Sequence, residues 1–199
     1  MVIIPPLFFF FIFGKGGLEI LLMGKANPLN ISQAAVSEFL NDVASKLESD
    51  LGESQIHIPS LVVWSLDCKG TNETTVIPVT ADMNDHDQKH KAFMDMGAYF
   101  GDEIKLPLMA CLVSAAWAAK AENEDDKTPP SQRPDRKEVI LVSAMSINRI
   151  CLSSLADVTG NKIEGFCKPF EGENNLLFSF YMGYQEKVFE RVRNSERDS

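Results

Sequence analysis

Only three histidines, two tryptophans and four cysteines occur among the 199 residues. The cysteines, Cys68, Cys111, Cys151 and Cys167, form no Cys-x-x-Cys pair and no spaced quartet. That excludes a thiolate zinc module and argues against a disulfide scaffold, so all four read as reduced thiols of a cytoplasmic protein. There is no Gly-x-Ser-x-Gly elbow to expose a nucleophilic serine. Gly14-Lys15-Gly16-Gly17 lacks the spacing of a phosphate loop. The acidic run Glu122 to Asp126 lacks the Asp-x-Asp-x-Asp-Gly pattern of a calcium loop and reads as a solvated loop. No internal repeat is present, and no motif implies a cofactor. Positive charge is also short: 19 Lys and Arg face 28 Asp and Glu, for a formal net charge of -9. An acidic surface repels phosphate backbones, so nucleic acid is not an expected partner. The basic groups Arg133, Arg136 and Lys137, and Arg191, Arg193 and Arg197, are each interrupted by acidic residues.

No apolar run reaches the roughly 20 residues that a membrane-spanning helix needs. The longest, Val2 to Phe13, also lacks the basic flank of a signal peptide. Residues 1–22 differ in character from the rest of the chain, and we read them as a leader preceding a natural start at Met23. A membrane-touching anchor is the alternative, because an exposed phenylalanine run is otherwise an aggregation hazard. The single globular domain is expected over residues 23–193, with a frayed tail at 194–199.

What is present is a globular composition, 45% hydrophobic and 24% charged. The stretch from Leu106 to Val158 organises it. Leu108–Trp117 and Val139–Met145 are apolar at odd and even positions alike, the pattern of central strands covered on both faces. Ile150–Val158 reads as a third strand. Upstream, Ser32 is placed to cap a helix carrying Val36, Phe39, Leu40, Val43, Leu47 and Leu51 along one stripe, with Gly52 as its stop. Leu61–Leu66 and Thr74–Thr80 read as a hairpin, and Pro78 places the second strand at an edge. Asp82–Tyr99 is a second expected helix, capped by Asn84 or Asp85. Lys162–Pro169 reads as a short strand, and Glu171–Asn175 as a loop. Leu176–Arg193 closes the domain as an amphipathic helix, although its first seven residues also fit a strand. The expectation is an α+β (or α/β) single domain with a mixed or largely antiparallel sheet of about five strands and about three helices.

Two constellations carry candidate chemistry. His86-Asp87-Gln88-Lys89-His90 sets two histidines at i and i+4, a spacing at which both can ligate one metal ion. A zincin has Glu after the first histidine; here it is Asp87, one methylene shorter, and His57 is far away in sequence. The second is Pro129-Pro130-Ser131-Gln132-Arg133-Pro134-Asp135-Arg136-Lys137-Glu138. Its prolines hold an extended, rigid entry to a strand. Asp135 is expected to cap the turn and pair with Arg136. Arg133, with no local partner in sequence, is expected to be exposed and available to an anionic group. Ala116-Trp117 with Pro129 to Val142 resembles a scattered set of prokaryotic proteins that share a Pro-Pro-Ser-x-x-Pro-Asp-Arg-x-Glu loop entering a strand. The resemblance implies no catalytic residue.

These observations point to a non-enzymatic binding or assembly module of a prokaryote. Arg133, Asp135 and Arg136 are its candidate binding residues, and an unidentified protein is its partner. A small metal-dependent hydrolase using His86 and His90 is the alternative.

Overall fold

The computed structural model describes residues 11–14, 17–20, 30–50, 59–120, 128–159 and 162–197. β1 (Phe11–Gly14) and β2 (Gly17–Ile20) pair antiparallel as a separate ribbon; the rest of the expected leader lies outside the described residues. α1 (Gln33–Asp50) leads into β3 (Ser60–Leu66) and β4 (Asn72–Pro78). α2 (His86–Asp102) then connects to β5 (Leu106–Ala118), β6 (Lys137–Ser146) and β7 (Cys151–Thr159). Two short strands, β8 (Lys162–Glu164) and β9 (Phe170–Glu171), precede α3 (Asn175–Arg197). Among the described residues the chain is thus a mixed α+β domain with three helices and a seven-stranded sheet, somewhat more strands than the sequence suggests.

The sheet runs β4-β3-β5-β6-β7-β8, with β9 also on β7, and every pairing in it is antiparallel. Alternation along β5 sorts its side chains between two cores. Ala110 and Leu112 meet Leu61 and Val63 of β3, Phe93 and Phe100 of α2, and Leu177, Phe180 and Tyr181 of α3. Met109, Cys111 and Val113 meet Ile140, Val142 and Ala144 of β6 and Val36 and Leu40 of α1. This is why β5 and β6 are apolar on both faces through their central positions. Full burial of Val36 and Leu40 is worth about 1.5–3 kcal/mol each, and with partly buried Phe39, Val43 and Leu47 it docks α1 on this face.

Local chemistry sets the ends of the elements. The Ser32 hydroxyl accepts the Ala35 amide at 3.2 Å and starts α1; Leu51 and Gly52, expected at its end, lie outside the described residues. Between β3 and β4, Asp67 Oδ1 accepts the Lys69 and Thr71 amides, both at 2.8 Å, and Gly70 takes a φ of 78°. A side chain rarely adopts that φ, so the hairpin turn needs glycine there. α2 begins at His86, later than the expected Asp82, because Asp82 closes a preceding turn onto Asn84. Asp85 is the cap, and its Oδ1 accepts the amides of Asp87 and Gln88 at 3.0 Å each. Pro107 lies inside β5, not before it. It has no N–H for the ladder, and the β3–β5 register shifts between Trp64 and Ser65 at that point. The Leu176–Met182 segment is helical, and α3 extends to Arg197, past the expected end at Arg193.

Candidate functional site

The proline-bearing loop delivers its three candidates to places the sequence does not suggest. Pro130–Gln132 forms one 3₁₀ turn packed against β5. The turn leaves Arg133 extended, with its amide donating to the Pro130 carbonyl at 3.2 Å. Arg133 is 8% exposed, and its Nε donates to Asp135 Oδ1 at 3.2 Å. The Arg133 guanidinium holds the Asp135 carboxyl below the usual carboxylate range. The expectation of an exposed Arg133 is therefore corrected: its fork is buried and engaged within the loop. The expected Asp135–Arg136 pair is also replaced by Arg133–Asp135. Arg136 donates instead to the Ser131 carbonyl, and its guanidinium lies 4.8 Å from the centre of the Trp117 ring. Trp117 is 47% exposed, so Arg136 and Trp117 form a surface stack at the end of the β5–β6 ribbon.

The histidines lie on the first turns of α2, with ring centres 4.4 Å apart. His86 is exposed and its Nδ1 lies 3.4 Å from Asp87 Oδ1. His90 is half-buried against α3, with Nδ1 2.7 Å from the Ser179 hydroxyl. Among the described residues, no group of three His, Cys, Asp or Glu side chains is arranged to hold a metal ion. Neither Asp82, Asp85 nor Cys68 joins the two histidines in such a group. The Asp85 carboxylate is engaged in the α2 cap and by the Gln88 side-chain amide at 2.8 Å.

Ser143, Ser146, Ser153 and Ser154 are structural. The Ser143 and Ser153 hydroxyls pair at 2.8 Å across β6 and β7. Ser146 Oγ accepts the Ile150 amide at 3.1 Å, and Ser154 donates to the Cys167 carbonyl at 2.6 Å.

The feature that sequence reading did not single out is the outer edge of β4. Among the described residues β4 pairs with β3 on one side only. Its sequence, Asn-Glu-Thr-Thr-Val-Ile-Pro, holds four consecutive β-branched residues, Thr74 to Ile77. It carries one charge, Glu73, whose Oε2 is tied to Lys105 Nζ at 2.9 Å. Thr75 and Ile77 point towards the side of α2 and α3, with Ile77 packed on that core. On the other side α1 lies over β5, β6 and β7, and its cover stops short of β4. Val76 is 62% exposed there, beside half-buried Val62 and Trp64 in register with Val76 and Thr74. Sheet edges are ordinarily blunted by Lys, by Pro or by bulges. Here only the terminal Pro78 does so. The signal in the sequence was Pro78, which placed the strand at an edge; the missing cover depends on where α1 sits.

Comparison of this chain with protein-family models, with curated proteins and with solved structures finds no match. Among the described residues no helix is long and apolar enough to cross a membrane.

Proposed function

We propose that this chain is a non-catalytic binding or assembly module of a prokaryotic cytoplasm, and that it takes an extended segment of a partner protein along β4. The observation that carries the reading is the β4 edge, unpaired among the described residues, beside exposed Val76 and half-buried Val62 and Trp64. Strand addition suits such a place: main-chain hydrogen bonds supply affinity, and alternate side chains of the partner meet the strip. The matching partner segment is extended and β-branched or aromatic at alternate positions, because the strip offers apolar contact and the edge offers little charge. The free cysteines fit a reducing compartment. The hydrolase reading lacks a third ligand among the described residues, and Asp87 is turned towards His86 rather than an open metal position.

Val76→Lys tests the reading. The position is exposed, so the fold should change by no more than about 0.5 kcal/mol. A lysine on the strip places charge where a partner strand must lie. Partner recovered with the parent protein should protect the β4 amides from hydrogen exchange and be lost with Val76→Lys. Equal recovery with the variant, or protection confined to other strands, would overturn the assignment.

A further inference from the structure

We infer that His86 and His90 form a two-imidazole site for a divalent transition metal, with His90 held ready by a hydrogen bond to its Nδ1. This site is separate from the β4 edge and independent of the proposed docking role. Proton positions around His90 are fixed by its neighbours. The Ser179 hydroxyl has one proton, and the Asn175 carbonyl, 3.0 Å from it, can only accept. Ser179 Oγ therefore accepts from His90 Nδ1 at 2.7 Å. That fixes the proton on Nδ1 and leaves the lone pair on Nε2. At His86 the carboxylate of Asp87 likewise can only accept, across the 3.4 Å to Nδ1. That weaker, solvent-facing contact favours the same tautomer, which leaves Nε2 to ligate. Metal-bound imidazoles ordinarily present this pattern, with the second ring nitrogen engaged by a carboxylate, carbonyl or hydroxyl.

The spacing is suitable as well. One helical turn separates the residues, and the rings lie 4.4 Å apart at an interplanar angle of 34°. For both Nε2 atoms to lie about 2.0–2.1 Å from one ion, the tilted rings must turn about their side-chain torsions. His86 is exposed and can supply that rotation, while His90 is anchored to α3 through Ser179. The nearby cation Lys89 is turned away, its Nζ donating to the Met83 carbonyl at 3.2 Å. Two imidazoles favour Cu²⁺ over Ni²⁺ and Zn²⁺, and the remaining positions stay open to water. No catalytic step is attached to the site.

The test is titration of the full chain with Cu²⁺ alone and with Zn²⁺ alone, followed by calorimetry, in the parent protein and in His86→Ala, His90→Ala and Ser179→Ala. One equivalent should bind the parent, with Cu²⁺ tighter than Zn²⁺. His86→Ala removes an exposed ligand and should leave the melt unchanged while weakening binding at least about ten-fold. Ser179→Ala keeps both ligands but loses the Nδ1 acceptor, and should weaken binding by about ten-fold, as losses of outer-shell partners do. Absence of saturable binding to the parent would overturn the site, as would His86→Ala binding within two-fold of the parent. The latter would assign the ion to Cys68 or Cys167, the exposed thiols. Ser179→Ala binding as tightly as the parent would overturn the pre-orientation by hydrogen bonding.

Discussion

Gly97 of α2 and Gly183 of α3 are the points at which the two helices touch backbone to backbone. A Cβ on Gly97 would lie 1.8 Å from the Phe180 carbonyl oxygen, and one on Gly183 would lie 2.0 Å from that of Met94. Neither neighbour is a side chain that can swing aside. In an unconstrained helix, Gly→Ala gains up to about 1 kcal/mol. Here the helices must separate to admit the methyl, losing contacts shared by Phe93, Phe100, Phe180 and Tyr181. Gly97→Ala and Gly183→Ala should each cost at least about 2 kcal/mol net. Gly101→Ala, whose methyl would meet Lys187 Cβ at 2.9 Å, a much shallower overlap, should cost less. Urea denaturation measures all three; a stabilising Gly97→Ala would refute the close approach.

The Arg133–Asp135 pair yields a second prediction. Arg133→Ala removes a buried stem and the Nε donor to Asp135, and should cost about 1–3 kcal/mol. Arg133→Lys should not restore the loss, because an ammonium has no Nε at that place along the chain. Arg136→Ala loses only an exposed stack on Trp117 and a bond to the Ser131 carbonyl, and should cost no more than about 1 kcal/mol. Thermal melts rank the variants, and Arg136→Ala proving the more damaging would reverse the roles assigned to the two arginines.

That loop also marks where sequence reading stops. The central strands were legible because burial on both faces leaves its mark at every position from Leu108 to Val113 and at nearly every one from Val139 to Met145. Ser32 and Asp85 were legible as caps because each bonds amides within three residues of itself. Arg133 was misread because its burial comes from the turn packing on β5, remote in sequence. β9 was missed because two residues have no periodicity; Phe170 and Glu171 are strand only through Ser153 and Leu152 of β7. The exposed strip at Val76 was invisible for a similar reason, since it exists only because α1 docks over β5–β7. His86 and His90 were paired by spacing alone, whereas the Ser179 contact that orients His90 spans 89 positions.

Acid should destabilise the fold through three aspartates. The Asp67 carboxyl is lowered first by the Thr71 amide, Asp85 first by the Gln88 amide, and Asp135 first by the Arg133 side chain. Each folded-state value lies below the unfolded one, so each contribution is fully present above the unfolded value. It is lost as pH falls from about 3.8 through the folded value. All three groups are solvent-facing, so salt should shrink the Asp135 contribution in particular, which rests on an ion pair. Melting temperature followed from pH 6 to pH 2 should fall below pH 4 in the parent protein. It should fall less steeply in Asp85→Asn and Asp135→Asn, and identical slopes in parent and variants would show that these groups do not drive the acid transition.

Tyr181 offers the narrowest test of the core. Its ring is fully buried and makes an edge contact with Phe180, whose ring meets Phe100 in the same manner. Its hydroxyl donates to the Met145 carbonyl at 3.0 Å, with the Leu108 carbonyl at 3.4 Å. Leu108 is the residue skipped when the β3–β5 register shifts, so the hydroxyl bridges β5 and β6 where the ladder is irregular. Tyr181→Phe keeps the ring contacts and removes the bond. Its cost should be only about 1 kcal/mol, because the Leu108 oxygen keeps the Ile147 amide at 2.9 Å. Tyr181→Ala opens a cavity between α3 and the sheet and should cost about 3–5 kcal/mol, the range for large-to-small changes at buried aromatics. The ratio is the informative quantity. If Tyr181→Phe proved as damaging as Tyr181→Ala in denaturant melts, the hydroxyl bridge rather than the ring would be holding α3 to the β5–β6 junction.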